Sequence, residues 1–216
     1  LRSILVKGFP LILNETLFSA GLAFLNQCYS MCGLDVVPAL SISTTIYNLT
    51  AVIFRSLGIT VGIIPGQMLG AGSKEAEVRD SNRKLLTLSV SAGVVFGLLI
   101  ASVSGLFPKL YNTTEAVQQL ATWLICINAL AMPFNSYTNA TYFTLRSGGQ
   151  TLVTFLFDSC FVWVCCVPLA FCLSRFTDLP IVPLYLLCCC MDFVKCAIGY
   201  VMLRRGTWIQ NLAKSE

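Results

Sequence analysis

Six stretches of the sequence are each apolar over about 20 residues or more, the length that crosses a bilayer as an α-helix. They cover roughly 7–32, 36–70, 84–107, 115–145, 151–174 and 180–204. Only 11% of the residues are charged and 56% are hydrophobic, whereas soluble domains carry about 25% charged residues. The sequence therefore predicts an all-α, multi-pass membrane protein with six transmembrane helices.

The basic residues are distributed unevenly between the two sides of these spans. One side carries only Lys109 and Arg175. The loops and ends on the other side carry ten basic residues, namely Arg2, Lys7, Lys74, Arg79, Arg83, Lys84, Arg146, Arg204, Arg205 and Lys214. Because basic loops stay in the cytoplasm, this pattern predicts that both termini are cytoplasmic and that 205–216 form a cytoplasmic tail. The cell membrane is the expected location.

Several local patterns add detail to the six spans. Gly58 and Pro65 predict that the long second span bends or breaks in its last third. The polar segment 73–84 predicts a separate surface helix. Small residues every four positions in the third span, from Ser89 to Gly105, predict close helix packing. Trp208 is predicted to begin an interfacial tail, 208–212. Because the chain opens at Leu1 almost directly into a span, we expect it to be part of a longer protein.

Polar residues follow single faces of five spans, at the 100° spacing of an α-helix. Such faces avoid lipid, so they predict a bundle around a wet, partly charged cavity, and therefore passage of a solute. These polar stripes consist of Gly8, Glu15, Ser19 and Asn26; of Ser41, Thr44, Asn48, Ala51, Arg55 and Gly62; of Asn128, Asn135, Asn139 and Tyr142, ending at Arg146; of Thr151, Thr154 and Asp158; and of Tyr185, Cys188, Asp192, Lys195 and Gly199.

Glu15 is the acid with the clearest functional interpretation. A carboxylate in the middle of an apolar span costs about 2.5–3.5 kcal/mol on insertion scales. One reading makes it a cavity-facing proton or cation site, and another pairs it with Arg55 on the neighbouring span. The remaining intramembrane charges have structural readings: Asp192 and Lys195 pair locally on one helix, and Asp158 binds loop groups near the end of its span.

Several functional classes fit the composition poorly. The chain has no histidine, which excludes Ser-His catalysis and His-bound metals. The eleven cysteines lie mostly in apolar runs without a CxxC pair, so we expect no metal site and treat them as apolar helix residues. Asp158 and Asp192 lack the sequence contexts of an aspartyl intramembrane protease. We therefore expect no enzymatic activity, no cofactor and no nucleic-acid partner.

The order of short motifs resembles the C-terminal half of a MATE (multidrug and toxic compound extrusion) transporter. The motifs are Pro10-Leu11-Ile12-Leu13-Asn14-Glu15, Gly66-Gln67-Met68-Leu69-Gly70-Ala71-Gly72, Leu145-Arg146-Ser147-Gly148-Gly149-Gln150-Thr151, Val167-Pro168-Leu169-Ala170-Phe171, Asp192-Phe193-Val194-Lys195 and Thr207-Trp208-Ile209-Gln210-Asn211-Leu212. The resemblance implies that 1–204 form one six-helix lobe of a twelve-helix transporter, whose N-terminal lobe is the missing partner.

The resemblance also implies a function. MATE transporters are secondary antiporters that extrude organic, often cationic, xenobiotics and drugs in exchange for protons or sodium ions, by alternating access. Glu15 matches the acid of the family's cation site. Asn135 stands where some sodium-coupled members carry a second acid, which favours a proton or an accessory role for Glu15. We expect the substrate cavity to include Asn14, Asn48, Arg55, Asn135, Asn139 and Tyr142, and we expect Asp158, Asp192 and Lys195 to be structural charges.

Two other transport readings stay open at this point. A flippase-like exporter of lipid-linked glycans shares the general architecture but needs a larger basic cavity. A six-helix carrier that dimerises with itself is the other alternative.

Overall fold

The computed structural model describes residues 2–177, 179–206 and 208–209, and within them the side chains of 2–8, 10 and 151 are left out. Six helical segments follow one another: α1 (Arg2–Ser30), α2 (Val36–Gly70), α3 (Glu75–Val103), α4 (Glu115–Ser147), α5 (151–176) and α6 (Ile181–Arg205). A short 3₁₀ turn, Phe107–Leu110, precedes α4. The described residues contain no strand. Most of the predicted tail 205–216, and Thr151 of the fifth polar stripe, lie outside what is described.

The predicted membrane architecture is confirmed. Five helices, α2 to α6, are long and apolar enough to cross a membrane by length and composition. The first predicted span corresponds to α1, which has 29 residues but does not meet this apolar criterion within the described residues. The fold is thus an all-α membrane protein.

One predicted helix interruption is wrong. The segment 73–84 is not a separate surface helix, because α3 runs unbroken from Glu75. Within α3, no glycine or proline occurs before Gly93, and the exposed ion pairs Arg79–Glu75 at 2.8 Å and Lys84–Asp80 at 2.7 Å link successive turns. The second predicted span does not break either, since α2 stays helical through Pro65 for 35 residues, while the bend predicted there stays a prediction.

The centre of the fold is α4, which contacts α2, α3, α5 and α6. Half of its apolar window is buried inside the protein, the largest share among the five candidate spans. Leu124, Ile125 and Met132 are fully enclosed in the main core. Side chains on the other helices are therefore positioned largely by reference to α4.

Close contact between α3 and α4 confirms the packing role predicted for the small residues of the third span. A Cβ on Gly97 would lie 2.7 Å from the carbonyl oxygen of Ala129. Ser136 Oγ of α4 donates a hydrogen bond to the carbonyl oxygen of Ser89 at 2.5 Å. The two backbones approach closely because glycine leaves room, as in other membrane helix pairs.

Trp208 is buried rather than interfacial, contrary to the prediction. Its side chain is only 1% exposed and packs in a second core, the Trp208 cluster. The cluster consists of Leu69, Val78, Tyr142, Leu145, Phe157 and Trp208. Trp208 Nε1 donates to the carbonyl oxygen of Leu203 at 3.3 Å, which satisfies the indole. A Cβ on Gly148 would overlap the Trp208 carbonyl oxygen, so the glycine after α4 makes this docking possible.

The close approach of α3 and α4 yields a stability prediction. We expect Gly97→Ala to destabilise the protein by about 1–3 kcal/mol, the usual cost of overpacking a core. Gly70→Ala is the matched control, because Gly70 is also helical but has nothing within 4 Å of an added Cβ. Thermal unfolding in detergent measures both variants, and equal melting temperatures would show that the helices do not approach this closely.

Candidate functional site

A chain of hydrogen bonds joins α1, α4 and α5 at Glu15. Ser159 Oγ donates to Asn14 Oδ1 at 2.6 Å and is 2.8 Å from the Asn14 carbonyl oxygen. Asn14 Nδ2 donates to the Tyr142 hydroxyl at 3.3 Å. That hydroxyl donates to Glu15 Oε1 at 3.0 Å. Each donor therefore points towards the carboxylate, an arrangement in which successive hydrogen bonds polarise one another.

Glu15 remains open at the end of this chain. Its side chain is 60% exposed in this six-helix unit, and Arg146 Nη1 lies 4.0 Å from Oε1. The predicted pair with Arg55 is wrong, because no ion pair of 4.0 Å or less joins Glu15 and Arg55 and the basic neighbour is Arg146.

A second polar contact lies directly beside the first. Lys195 Nζ of α6 is 2.7 Å from Asp158 Oδ1 of α5, and both side chains are largely buried. The predicted local pair of Asp192 with Lys195 is therefore wrong, as is the prediction that Asp158 binds loop groups. Lys195 Nζ also lies 5.2 Å from the ring centre of Phe157 and 5.8 Å from that of Phe18. Lys195 points across to α5 and α1 instead of along its own helix.

Two π-helical turns interrupt α5 at this point. The helix is regular over Thr151–Phe155 and Val167–Phe176, and the wider turns are Leu156–Cys160 and Val162–Cys166. Asp158 and Ser159 are neighbours in the first turn, yet one binds α6 and the other binds α1. Single π-turns inside α-helices frequently occur at functional sites. Neither turn contains glycine or proline, but Pro168 follows the second turn closely and has no N–H to bond the carbonyl of Val164. Pro168 is therefore the one local signal in the sequence for the second turn, and the first turn has none of this kind.

A separate polar network links α2, α4 and α6. Asn128 Nδ2 donates to Ser43 Oγ at 2.9 Å, and the Tyr185 hydroxyl donates to Asn128 Oδ1 at 2.9 Å. The Tyr29 ring meets that of Tyr185 edge-on, with centres 5.2 Å apart. These bonds satisfy polar groups of two predicted stripes inside the protein, which gives the network a structural role.

The other predicted cavity residues lie apart from Glu15. Asn135 Nδ2 donates to the carbonyl oxygen of its own helix at Ala131, 3.2 Å away. Asn139 Oδ1 is buried without a hydrogen-bond partner in the described structure and lies against Gly58. Asn48 and Arg55 are exposed on α2. Of the six predicted cavity residues, the structure brings only Asn14 and Tyr142 to Glu15.

The polar stripes of α1 and α2 lie mostly on the outside of the six-helix unit. The exposed members are Glu15, Ser19, Asn26, Ser41, Thr44, Asn48 and Arg55. The corresponding residues Asn128, Asn135, Asn139 and Tyr142 of α4 are buried or half-buried, and only Arg146 at the end of that stripe is exposed. The polar residues of the α1 and α2 stripes therefore lie on the outside of the six-helix unit and do not line a cavity enclosed by all the helices.

Comparison with known proteins adds a family to this geometry. A family model described as MatE matches residues 10–172. The chain belongs to the MatE family. The match covers about three quarters of the 216 residues and contains Asn14, Glu15 and Tyr142. No match was found among curated proteins, and none was found among solved structures.

Membership in the MatE family makes this a chain of the membrane efflux transporters and confirms the resemblance found in the sequence. The matched range runs from α1 to the last part of α5, so it includes both π-turns and the whole hydrogen-bond chain from Ser159 to Glu15. Lys195 and Trp208 lie beyond it.

The buried end of the hydrogen-bond chain yields a second stability prediction. We expect Ser159→Ala to cost about 1–3 kcal/mol, because it leaves Asn14 Oδ1 buried without a donor. Ser91→Ala is the control, since Ser91 is exposed on α3 and bonds only to the carbonyl oxygen of Thr87 in its own helix. Thermal unfolding compares the two, and equal stability would remove Ser159 from the chain.

Proposed function

We propose that the chain is one six-helix lobe of a twelve-helix secondary antiporter, in which Glu15 couples export of organic, often cationic, compounds to an inward flow of protons. The observation that carries the proposal is the Glu15 carboxylate, which is exposed near the middle of α1 at the end of a chain of donors. Hydrocarbon does not accept an ionised carboxylate without a large cost. The group therefore needs water or a substrate beside it.

The outer face of α1 and α2 supports a second lobe. Its exposed polar residues, including Asn48 and Arg55, are unsuited to lipid tails. A second six-helix lobe of the same protein, lying N-terminal to this one, covers this face across a wet cleft and leaves the apolar faces to the bilayer. With both termini cytoplasmic in the cell membrane, rocking of the lobes opens the cleft to either side in turn.

The groups around Glu15 favour a proton over sodium as the coupling ion. Sodium binding requires several oxygen atoms directed at one point, whereas Glu15 receives a hydroxyl donor and has a guanidinium group 4.0 Å away. Asn14 Oδ1, the nearest amide acceptor in the chain of bonds, accepts from Ser159.

Charge exchange at Glu15 gives a simple mechanism. The carboxylate attracts an organic cation when the cleft faces the cytoplasm. Protonation of Glu15 from the outside neutralises that attraction, and the cation is released. The proton then leaves on the cytoplasmic side, where the hydroxyl of Tyr142 and the guanidinium of Arg146 stabilise the returning negative charge.

Replacement of Glu15 tests this function directly. We expect Glu15→Gln to abolish proton-coupled efflux of an organic cation such as ethidium from liposomes that contain the full-length protein, because the amide cannot release a proton. Glu115→Gln is the control, since Glu115 is an exposed acid in the first turn of α4. Unchanged coupled efflux in Glu15→Gln would contradict the proposal, and transport of a lipid-linked glycan instead of the cation would favour a flippase-like exporter.

Removal of one hydroxyl tests the hydrogen-bond chain. We expect Tyr142→Phe to move the half-maximal pH of cation efflux to higher pH by about one unit, since a hydrogen bond to a charged group contributes about 1.5–3 kcal/mol and one pH unit corresponds to 1.36 kcal/mol. Tyr200→Phe, on the exposed face of α6, controls for loss of a tyrosine hydroxyl. An identical pH profile for both variants would show that Tyr142 does not act on Glu15.

A further inference from the structure

The ion pair between Asp158 and Lys195 is unusual for its burial in a membrane-spanning region. Their side chains are 14% and 11% exposed, and the two atoms are 2.7 Å apart. Burial of two charges carries a desolvation cost that their attraction offsets only with good geometry. Ionisable residues within membrane spans are rare, pair with one another and mark functional positions. Glu15 and its hydrogen bonds do not use either charge directly.

The surroundings of Lys195 hold the pair in one place. The ammonium group lies over the rings of Phe157 on α5 and Phe18 on α1. Cation–π contacts of this type strengthen when the cation is desolvated. Asp192, one turn earlier on α6, does not come within ion-pair distance. The pair therefore fixes α6 against the first π-turn of α5 and against α1.

The π-turn connects this pair to Glu15. Asp158 and Ser159 are consecutive residues of the turn Leu156–Cys160, so the backbone that Asp158 anchors is the backbone that carries Ser159. Ser159 in turn donates to Asn14, and Asn14 donates to the hydroxyl that reaches Glu15. An unbroken series of contacts thus runs from α6 through α5 and α1 to α4.

We propose that Asp158 and Lys195 are positioning residues for Glu15: their ion pair holds the π-turn in the place where Ser159 orients Asn14, and Asn14 orients the Tyr142 hydroxyl towards the carboxylate. This inference rests on the function proposed for Glu15. It assigns the pair an effect on the affinity of Glu15 for protons, beyond a contribution to stability.

Several charged or titratable groups surround Glu15 and enter this account. Tyr142 and Arg146 approach it from α4. Asp158 lies on α5 and forms its ion pair with Lys195 of α6. Arg55, the intramembrane basic residue of α2, makes no ion pair with Glu15. Neutralising both members of the buried pair leaves the local net charge unchanged, so a shift in the pH profile then reports position and not the loss of a charge.

The test uses the double variant Asp158→Asn/Lys195→Met in the full-length protein, assayed as organic-cation efflux from liposomes across a series of external pH values. We expect the half-maximal pH to rise by about one unit, as for loss of the Tyr142 hydrogen bond to the charged group. The control is Asp80→Asn/Lys84→Met, which neutralises an exposed ion pair of the same 2.7 Å length on α3 and should leave the profile unchanged.

Two further variants provide a test if neutralising both Asp158 and Lys195 impairs folding. Lys195→Arg preserves the charge and should retain the wild-type profile. Ser159→Ala breaks the link to Asn14 without altering a charge, and it should shift the profile in the same direction as the double variant. Combined with the double variant it should add no further shift, because the changes lie in one series of contacts.

The possible outcomes separate this inference from the function on which it rests. A wild-type profile in the double variant, together with a shifted profile in Tyr142→Phe, would overturn the positioning role while Glu15 keeps its own. Fully additive shifts from Ser159→Ala and the double variant would also overturn it. Unchanged coupling in Glu15→Gln would instead contradict the proposed function itself.

Discussion

Hydrocarbon offers no hydrogen bonds, so a polar side chain within the membrane must find its partner in the protein or in a wet cleft. This constraint organises the polar residues of the six helices into two groups. Asn14, Ser159 and Tyr142 satisfy one another inside the bundle, as do Ser43, Asn128 and Tyr185. By contrast, the side chains of Ser19 and Asn26 on α1 and of Asn48 on α2 are exposed and make no hydrogen bond within the part of the chain that the structure describes. Glu15 lies between these two groups, because its Oε1 accepts a hydrogen bond from Tyr142 while the side chain remains 60% exposed.

The central helix, α4, connects the apolar packing of the bundle to the site at Glu15. α4 approaches α3 closely at Gly97, near the middle of α4. Tyr142 lies closer to the C-terminal end of α4, where its ring packs in the Trp208 cluster and its hydroxyl donates to Glu15. The position of the donor is therefore fixed by apolar packing as well as by Asn14. In an alternating-access transporter such rigid packing allows a lobe to move as one body, so that the site keeps its geometry while its access to water changes.

Much of the fold followed from the sequence because apolar length and helical periodicity are local properties. The six segments, the MATE resemblance and the small-residue contact of Gly97 were all predictable in this way. The partners of the charged side chains were not predictable from the sequence. Lys195 lies three residues from Asp192, yet it binds Asp158, because side-chain direction across a bundle depends on helix rotation and not on spacing. The same limit explains the wrong pairing of Glu15 with Arg55. The first π-turn of α5 and the burial of Trp208 have no such local signal, whereas the second π-turn lies beside Pro168, which removes a helix hydrogen bond.

The central claim is that Glu15 exchanges a proton for an organic cation. The most direct measurement is proton release when an exported organic cation binds the purified full-length protein in weakly buffered detergent solution. The account predicts that the wild-type protein releases protons in proportion to bound cation near the half-maximal pH of efflux, and that Glu15→Gln releases none. Equal proton release from the two proteins at equal cation binding would contradict the account.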